Sequence, residues 1–310
     1  MRFLSDALAD NAGTLETLDS TISHDARFEI LTQWGAYGEG DGQFRCPVDV
    51  AVSPQGVVYV LDLEDHRVQS FSAEGQLLAK WGGEGTSDGL FRFPTGIAVD
   101  LNGNVYVADS CNHRIQTFSA DGTLLAKFGL EGSADGRFKW PSGIAVDNSG
   151  NIYVLETGNC RVQKFSLDGN FVTRWGGEGT GVEEFKWPTS IAVHANAGVF
   201  VIDVANCCVQ RFSVDGVFLT RWGEKGSDEG QFWCPNGIEV DADGQVYVAD
   251  TGNSRIQVFT PDGKFLTQWG CEGNEAGQFS YPYGLAISTT GTIYVADTRN
   301  HRLQGFRVER

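Results

Sequence analysis

Short hydrophobic segments alternate with glycine-, asparagine- and aspartate-rich turns along almost the whole chain. Residues 91–128 illustrate the pattern, with the segments IAV, VYVA, RIQTF and LLAKF separated by DLNGN, DSCNH and SADG. Segments that are this short, β-branched and aromatic, with turn signals between them, are typical of β-strands. The pattern therefore predicts four strands in each such unit.

The unit recurs every 47 residues without insertion or deletion. One phenylalanine and one proline mark each copy, namely Phe44, Phe91, Phe138, Phe185, Phe232 and Phe279 with Pro47, Pro94, Pro141, Pro188, Pro235 and Pro282. A period in the forties with four strands per copy is typical of propeller blades. We predict an all-β fold, a six-bladed β-propeller over residues 27–310, preceded by an N-terminal extension (residues 1–26) that is helical or disordered.

The two ends of the chain predict how the ring closes. The sixth copy stops after RLQGFRVER and lacks its fourth strand, whereas FEILTQWG at residues 28–35 reads like FLTQWG at residues 265–270. We expect the N-terminal strand to complete the last blade, because an open propeller would leave sheet edges unpaired. The tryptophans that end the fourth strands are expected to pack between blades.

A carboxylate and an arginine bracket the turn between the second and third strands of most copies. The pairs are Asp62/Arg67, Asp109/Arg114, Glu156/Arg161, Asp250/Arg255 and Asp297/Arg302. We interpret them as structural pairs in which the carboxylate fixes the arginine of the next strand. In the fourth copy Cys208 replaces the arginine and leaves Asp203 without this partner.

The segment GIAVDLNGNVYVADSCNHRIQTF, residues 96–118, resembles the NHL repeat. The resemblance extends over about residues 28–310 and implies the six-bladed propeller fold. Proteins with this repeat include RNA-binding and protein-binding domains of tripartite-motif ubiquitin ligases, sensor domains of bacterial receptor kinases and an amidating lyase that uses zinc. Since one fold supports all of these activities, the resemblance leaves the function open.

Charge and composition narrow the classes of partner. The 310-residue chain has a formal charge of −17. Such a field repels phosphate backbones and anionic lipids, so we expect neither a nucleic acid nor a membrane partner. The N-terminus has no apolar signal region, no apolar run reaches 18 residues, and the seven cysteines form no paired framework. These features predict a cytoplasmic protein with reduced thiols.

No catalytic constellation is evident, and we expect a protein that is not an enzyme and holds no cofactor. Three histidines share one slot of the repeat, namely His66, His113 and His301. That slot should lie at a radius of roughly 15 Å, since each strand adds about 4.8 Å, whereas zinc ligands lie about 2.1 Å from the metal. These histidines are therefore interpreted as turn residues.

The aspartates that follow three of the inner strands have two interpretations. They are Asp100, Asp147 and Asp241. Each either caps the amides of its own β-turn, which is the interpretation we favour, or contributes an oxygen to a Ca²⁺ site on the axis.

Candidate binding residues lie at the start of the inner strands, where all six blades converge. Asn236 and Tyr283 belong to this ring, and Asp49 places a carboxylate where four other blades have glycine. Asp49 is either a recognition feature at the mouth of the ring or a solvated or locally paired aspartate.

The connections between blades supply the other candidates. Four blades have a cation in one slot and the fifth has tryptophan, namely Arg45, Arg92, Lys139, Lys186 and Trp233. We expect Trp233 to be an exposed indole, and the apolar slot next to it to lie beneath the loop, namely Phe93, Trp140, Trp187 and Tyr281. Cations beside aromatic rings bind peptides or stack bases, and acidic residues in the same loops argue against RNA.

Together these residues predict a non-catalytic scaffold that binds a protein or peptide partner on its loop face. Two alternatives remain at this point. One is an enzyme or metal-dependent or small-molecule binder at the axial mouth, and the other is a single-stranded RNA binder. The oligomeric state is left open.

Overall fold

The fold is seen in a computed structural model, which describes residues 28–308. The predicted N-terminal extension, residues 1–26, lies outside the described residues. Strand β1 (Phe28–Trp34) precedes blade 1, which contains β2 (Pro47–Val52), β3 (Val58–Asp62), β4 (Arg67–Phe71) and β5 (Leu77–Gly82). Blade 2 contains β6 (Gly96–Val99), β7 (Val105–Asp109), β8 (Arg114–Phe118) and β9 (Leu124–Phe128). Blade 3 contains β10 (Pro141–Val146), β11 (Ile152–Glu156), β12 (Arg161–Phe165) and β13 (Phe171–Gly176).

The second half of the chain repeats this arrangement. Blade 4 contains β14 (Pro188–His194), β15 (Gly198–Asp203), β16 (Cys208–Phe212) and β17 (Phe218–Trp222). Blade 5 contains β18 (Gly237–Val240), β19 (Val246–Asp250), β20 (Arg255–Phe259) and β21 (Phe265–Trp269). Blade 6 contains β22 (Pro282–Ile287), β23 (Ile293–Asp297) and β24 (Arg302–Val308). Three 3₁₀ turns follow second strands, at Ser110–Asn112, Thr251–Asn253 and Thr298–Asn300.

Each blade is an antiparallel four-stranded sheet whose strands follow one another from the axis outward, and the predicted six-bladed ring is confirmed. Blade 6 has the order β22-β23-β24-β1, with Phe28 opposite Val308 and Trp34 opposite Leu303. The N-terminal strand therefore closes the ring, as the sequence predicts. None of the helical segments among residues 28–308 is long and apolar enough to cross a membrane.

Antiparallel order places two kinds of loop on opposite faces of the ring. The connections between blades and the turns between second and third strands lie on one face, which we call the upper face. The turns between first and second strands and between third and fourth strands lie on the other. The start of every inner strand, where the candidate residues converge, therefore opens onto the upper face.

Aromatic side chains pack between neighbouring blades, and the predicted role of the tryptophans is confirmed. Trp81 of blade 1 lies 5.8 Å from Phe118 of blade 2 between ring centroids, and Phe91 lies 5.6 Å from the same ring. Gly122 has a φ of 87°, and a Cβ there would lie 2.7 Å from the Trp81 ring. Glycine is therefore required where the tryptophan meets the next blade.

The predicted carboxylate–arginine pairs are present in blades 2, 3, 5 and 6. In blade 2 the Asp109 carboxylate, which is fully buried, accepts hydrogen bonds from Arg114 Nε at 2.7 Å and from the backbone N–H of Arg92 at 2.7 Å. Asn112 Nδ2 and Gln116 Nε2 donate to the same carboxylate. One buried group therefore joins the third strand, its turn and the connection from the preceding blade.

The prediction that Asp62 pairs with Arg67 is wrong. Arg67 instead lies 3.0 Å from Asp65, which occupies the turn position that asparagine holds in the other five blades. An aspartate there cannot donate to the second-strand carboxylate as Asn112 does, and it attracts the arginine. In blade 4, Arg221 of the outer strand occupies the missing arginine's region, with its Nε 3.2 Å from Cys208 Sγ.

Candidate functional site

The connections on the upper face are held by hydrogen bonds on both sides of the slot that contains Lys139. The backbone N–H of Lys139 donates to Glu156 at 2.9 Å, and its carbonyl accepts the N–H of Gly158 at 3.0 Å. Trp233 has the same arrangement, with its N–H 2.7 Å from Asp250 and its carbonyl 2.8 Å from the N–H of Gly252. The backbone of this face is therefore fixed before any partner binds.

In blades 2 and 3 the residue before the proline is held by a histidine of the preceding blade. The N–H of Phe93 donates to His66 Nδ1 at 3.0 Å, and the N–H of Trp140 donates to His113 Nδ1 at 3.2 Å. His301 Nδ1 is 2.8 Å from the carbonyl oxygen of Arg45, the residue before Cys46. The histidines thus join neighbouring blades through their turns, which explains their shared slot.

This slot has left-handed backbone, which sequence reasoning did not predict. The φ angle is 52° at Trp140 and 62° at Trp187. Their side chains are 42% and 38% exposed, so the expectation that this slot lies beneath the loop is wrong for both tryptophans. Phe93 and Tyr281 have the same left-handed backbone but are half-buried, so the exposure is particular to the two tryptophans.

Trp233 is half-buried, and the expectation of an exposed indole is wrong. Its ring lies over Gly252, where a Cβ would be 2.0 Å from Trp233 Cδ1, and Lys225 Nζ lies 4.5 Å from the ring centroid. Removing this indole would therefore also remove packing within blade 5.

The four predicted cations differ in their exposure and in the ion pairs that they make. Arg45 lies 3.1 Å from Glu39, and it also pairs with Glu64 and Asp65. Arg92 is half-buried, whereas Lys139 and Lys186 are exposed. Two lysines and two tryptophans are therefore exposed at equivalent positions of adjacent blades. We call this set the tryptophan arc: Lys139, Trp140, Lys186 and Trp187.

The inner strands of all six blades enclose an axial channel with a cavity volume of about 270 Å³. Asp49, Asn236 and Tyr283 line it, as their place in the repeat predicts. Glu239 lines it too and was missed. The sequence does distinguish this residue, because Glu239 occupies a position that is alanine in the other five blades.

Asp49 and Glu239 face the channel and are otherwise surrounded by protein. Asp49 accepts the N–H of Ile97 in the next blade at 2.9 Å and the N–H of Val50 at 3.0 Å. Glu239 accepts the N–H of Val240 at 2.9 Å. Desolvation by burial raises the pKa of Asp49 to about 7, and it also raises the pKa of Glu239 to about 7.

The aspartates that follow the inner strands accept hydrogen bonds from their own β-turns, which confirms their interpretation as turn caps. Asp100 accepts the N–H groups of Asn102 and Asn104, and it also accepts the hydroxyl of Tyr106. Asp147 makes the equivalent bonds in blade 3. Among residues 28–308, no group of three or more His, Cys, Asp or Glu side chains is placed to hold a metal ion.

Replacing Glu239 by glutamine should stabilise the protein, and more at pH 8 than at pH 5. The folded-state pKa of about 7 exceeds the ordinary value of 4.5, so the folded form holds more protons between these values and stability falls as pH rises through them. We expect the free energy of unfolding of Glu239→Gln to rise by about 1–2 kcal/mol at pH 8, allowing for channel solvation, and little at pH 5. Denaturant unfolding at both pH values measures this. Glu131→Gln, at the exposed upper face, is the control, and an equal gain at both pH values would contradict the expectation.

Comparison with known proteins agrees with this fold. A model of the NHL repeat matches residues 44–71, 91–118, 138–165, 232–259 and 279–306. The corresponding segment of blade 4 is not among the matched ranges, in keeping with the divergence of that blade in the sequence. No curated protein matches the chain.

Solved structures with similar folds include both enzymes and binding proteins. A streptogramin B lyase structure has a TM-score of 0.63 at 14% identity, covering 91% of this chain and 98% of that one. A gluconolactonase from Xanthomonas campestris has a TM-score of 0.64 at 16% identity, covering 92% and 90%. An auxiliary nutrient binding protein from Bacteroides ovatus has a TM-score of 0.68 at 17% identity, covering 92% and 78%. At these identities the likeness concerns the fold.

Proposed function

Because this chain is an NHL-repeat β-propeller, we propose that it is a non-catalytic binding protein whose upper face holds a protein or peptide partner. The observation that carries the proposal is the tryptophan arc, in which two indoles are exposed beside two lysines on adjacent blades. Large aromatic side chains contribute disproportionately to binding when a partner removes them from water.

The backbone beneath the arc supports this proposal. The N–H groups of Lys139 and Lys186 donate to second-strand carboxylates, and the N–H of Trp140 donates to His113 of the preceding blade. Since little conformational entropy remains to be lost in these loops, a partner can use the contact energy for affinity. The arc offers apolar area through the indoles and positive charge through the lysines, so its partner should combine apolar side chains with carboxylate or carbonyl groups.

The hydrogen bonds that the upper-face histidines make favour a binding protein over an enzyme. His66 and His113 accept backbone N–H groups through Nδ1, which fixes their rings between blades. Desolvation by burial lowers the pKa of His66. Both histidines therefore join neighbouring blades, and we infer that they do not transfer protons in a reaction.

Truncation of the arc tests the proposal. We expect Trp140→Ala and Trp187→Ala each to weaken partner binding by about 1–3 kcal/mol, which is roughly 5- to 150-fold in Kd, with melting temperature nearly unchanged. Peptides selected from a displayed library against the wild-type protein provide the ligand, and titration calorimetry gives Kd.

Leu219→Ala is the matched control, because Leu219 is 47% exposed on outer strand β17, away from the upper face. It should leave Kd unchanged. Full affinity in a folded Trp140→Ala/Trp187→Ala variant would reject the arc as the interface. Salt-sensitive binding of a single-stranded RNA, lost in the same variant, would favour the RNA alternative.

A further inference from the structure

The axial channel holds two carboxyl groups without a compensating cation. Its lining residues belong to the inner strands, and the titratable ones among them are Asp49, Glu239 and Tyr283. No lysine, arginine or histidine is part of that lining. Carboxylates that are taken out of water are normally paired with a cation, because an unpaired buried charge is costly.

The arrangement differs from that of the other acidic side chains in the ring. Asp109 has Arg114 as its partner, and Asp100 is used fully by its own turn. Glu239 Oε1 accepts one backbone N–H, and Oε2 has no hydrogen-bond partner within residues 28–308. This oxygen belongs to a side chain that lines the cavity.

Asp49 and Glu239 occupy positions that hold small residues in the other blades. The Asp49 slot is glycine in four blades, and a Cβ at Gly284 would lie 2.5 Å from Asp49 Cα, so the inner strands approach closely there. The Glu239 slot is alanine in the other five blades. The cavity of about 270 Å³ is lined by both carboxylates, one from blade 1 and one from blade 5.

We propose that the axial channel binds a small organic ammonium ion between Asp49 and Glu239, with the Tyr283 ring at its upper mouth. An ammonium group donates hydrogen bonds to both carboxylates, and an aromatic ring near the entrance attracts cations through its π face. The volume lies just below the usual range of ligand pockets, about 300–1,000 Å³, so the ligand is small.

A divalent metal suits this site less well than an amine. Ca²⁺ takes about six to eight oxygen ligands and Mg²⁺ requires near-octahedral geometry. No group of three or more acidic, histidine or cysteine side chains among the described residues is placed to hold a metal ion. Two carboxylates separated by one blade are better matched to a group that donates hydrogen bonds in several directions.

Amine binding should release protons near neutral pH. Burial raises the pKa of both carboxyl groups to about 7, so each is partly protonated there and must ionise to pair with the ammonium ion. The other titratable groups near the mouth are Tyr283, Cys46 and Cys234, and burial raises the pKa of each of them, so they stay neutral. The affinity should therefore increase from pH 6 to pH 8.

The experiment compares amines with uncharged analogues of the same shape. Putrescine and tyramine are titrated into the wild-type protein by calorimetry, with 1,4-butanediol and tyrosol as the matched alcohols. We expect at least one amine to bind at least tenfold more tightly than its alcohol. The heat should differ between two buffers of different ionisation enthalpy, as proton release requires.

Two variants place the site and distinguish it from the upper face. Glu239→Gln, which keeps an oxygen for the N–H of Val240, should weaken amine binding at least tenfold, and Asp49→Asn should do the same if it folds. Trp140→Ala/Trp187→Ala should bind the amine as the wild type does. The proposal is overturned if neither amine binds better than its alcohol or if Glu239→Gln binds the amine as tightly as the wild type. It is also overturned if NaCl or CaCl₂ at matched ionic strength gives the same binding heat as the amine.

Discussion

Deletion of residues 1–34 should prevent formation of a stable closed ring, whereas deletion of residues 1–24 should leave the ring intact. The longer deletion removes β1, which supplies the fourth strand of blade 6 along its whole pairing with β24. Phe28, which stacks on Trp269 at 4.1 Å, and Trp34, which lies 5.7 Å from Phe71, would be lost with it. The exposed edge of β24 would then pair with other chains.

Size-exclusion chromatography and thermal unfolding measure the outcome. The shorter deletion keeps every residue of β1 and is the matched control. We expect aggregation or loss of the cooperative transition in the longer deletion alone. A monomeric 1–34 deletion with unchanged melting temperature would show that the ring does not depend on β1.

Asp109→Ala should destabilise the protein by about 3–5 kcal/mol, because it leaves a buried arginine without its carboxylate. Arg114 Nε donates to Asp109 at 2.7 Å, and the N–H of Arg92 and the side chain of Gln116 lose the same acceptor. Denaturant unfolding gives the free-energy change. The upper-face connection of blade 2 loses its anchor at the same time.

Blade 4 offers a natural comparison for this prediction. Asp203 occupies the equivalent buried position, but Cys208 replaces the arginine and Arg221 keeps other contacts, with its Nη1 2.8 Å from the carbonyl of Thr180. Asp203→Ala should therefore cost less than Asp109→Ala. Equal losses would mean that the backbone N–H bonds, and not the arginine, account for the effect.

The ring can be predicted well from the sequence because each pattern that indicates it is local and recurs in every blade. Strand alternation, turn residues and the 47-residue period all describe single blades, and copying one blade six times leaves few alternatives. The closure of the ring by β1 could be predicted for the same reason, since the sixth copy lacks a strand that residues 28–35 supply.

The candidate site was predicted less well because contacts with residues far from each slot in the sequence decide it. A residue before proline usually has extended backbone, yet Trp140 has a φ of 52° with its N–H bound to His113 of the preceding blade. Trp233 is half-buried because Gly252 makes room beneath its ring. Neither effect can be read from the slot alone, whereas Glu239 needed only a comparison with the alanines of the other blades.

Closure by β1 also determines when the last blade can form during synthesis. Phe28 leaves the ribosome before any of the blades, but its partner Val308 follows about 280 residues later, which takes roughly 15–55 s at about 5–20 residues per second. Blades 1 to 5 are built from neighbouring segments and can fold as they emerge. Throughout that interval β1 has no β24 to pair with, so the strand that completes the ring is also the one that the nascent chain must keep unpaired the longest.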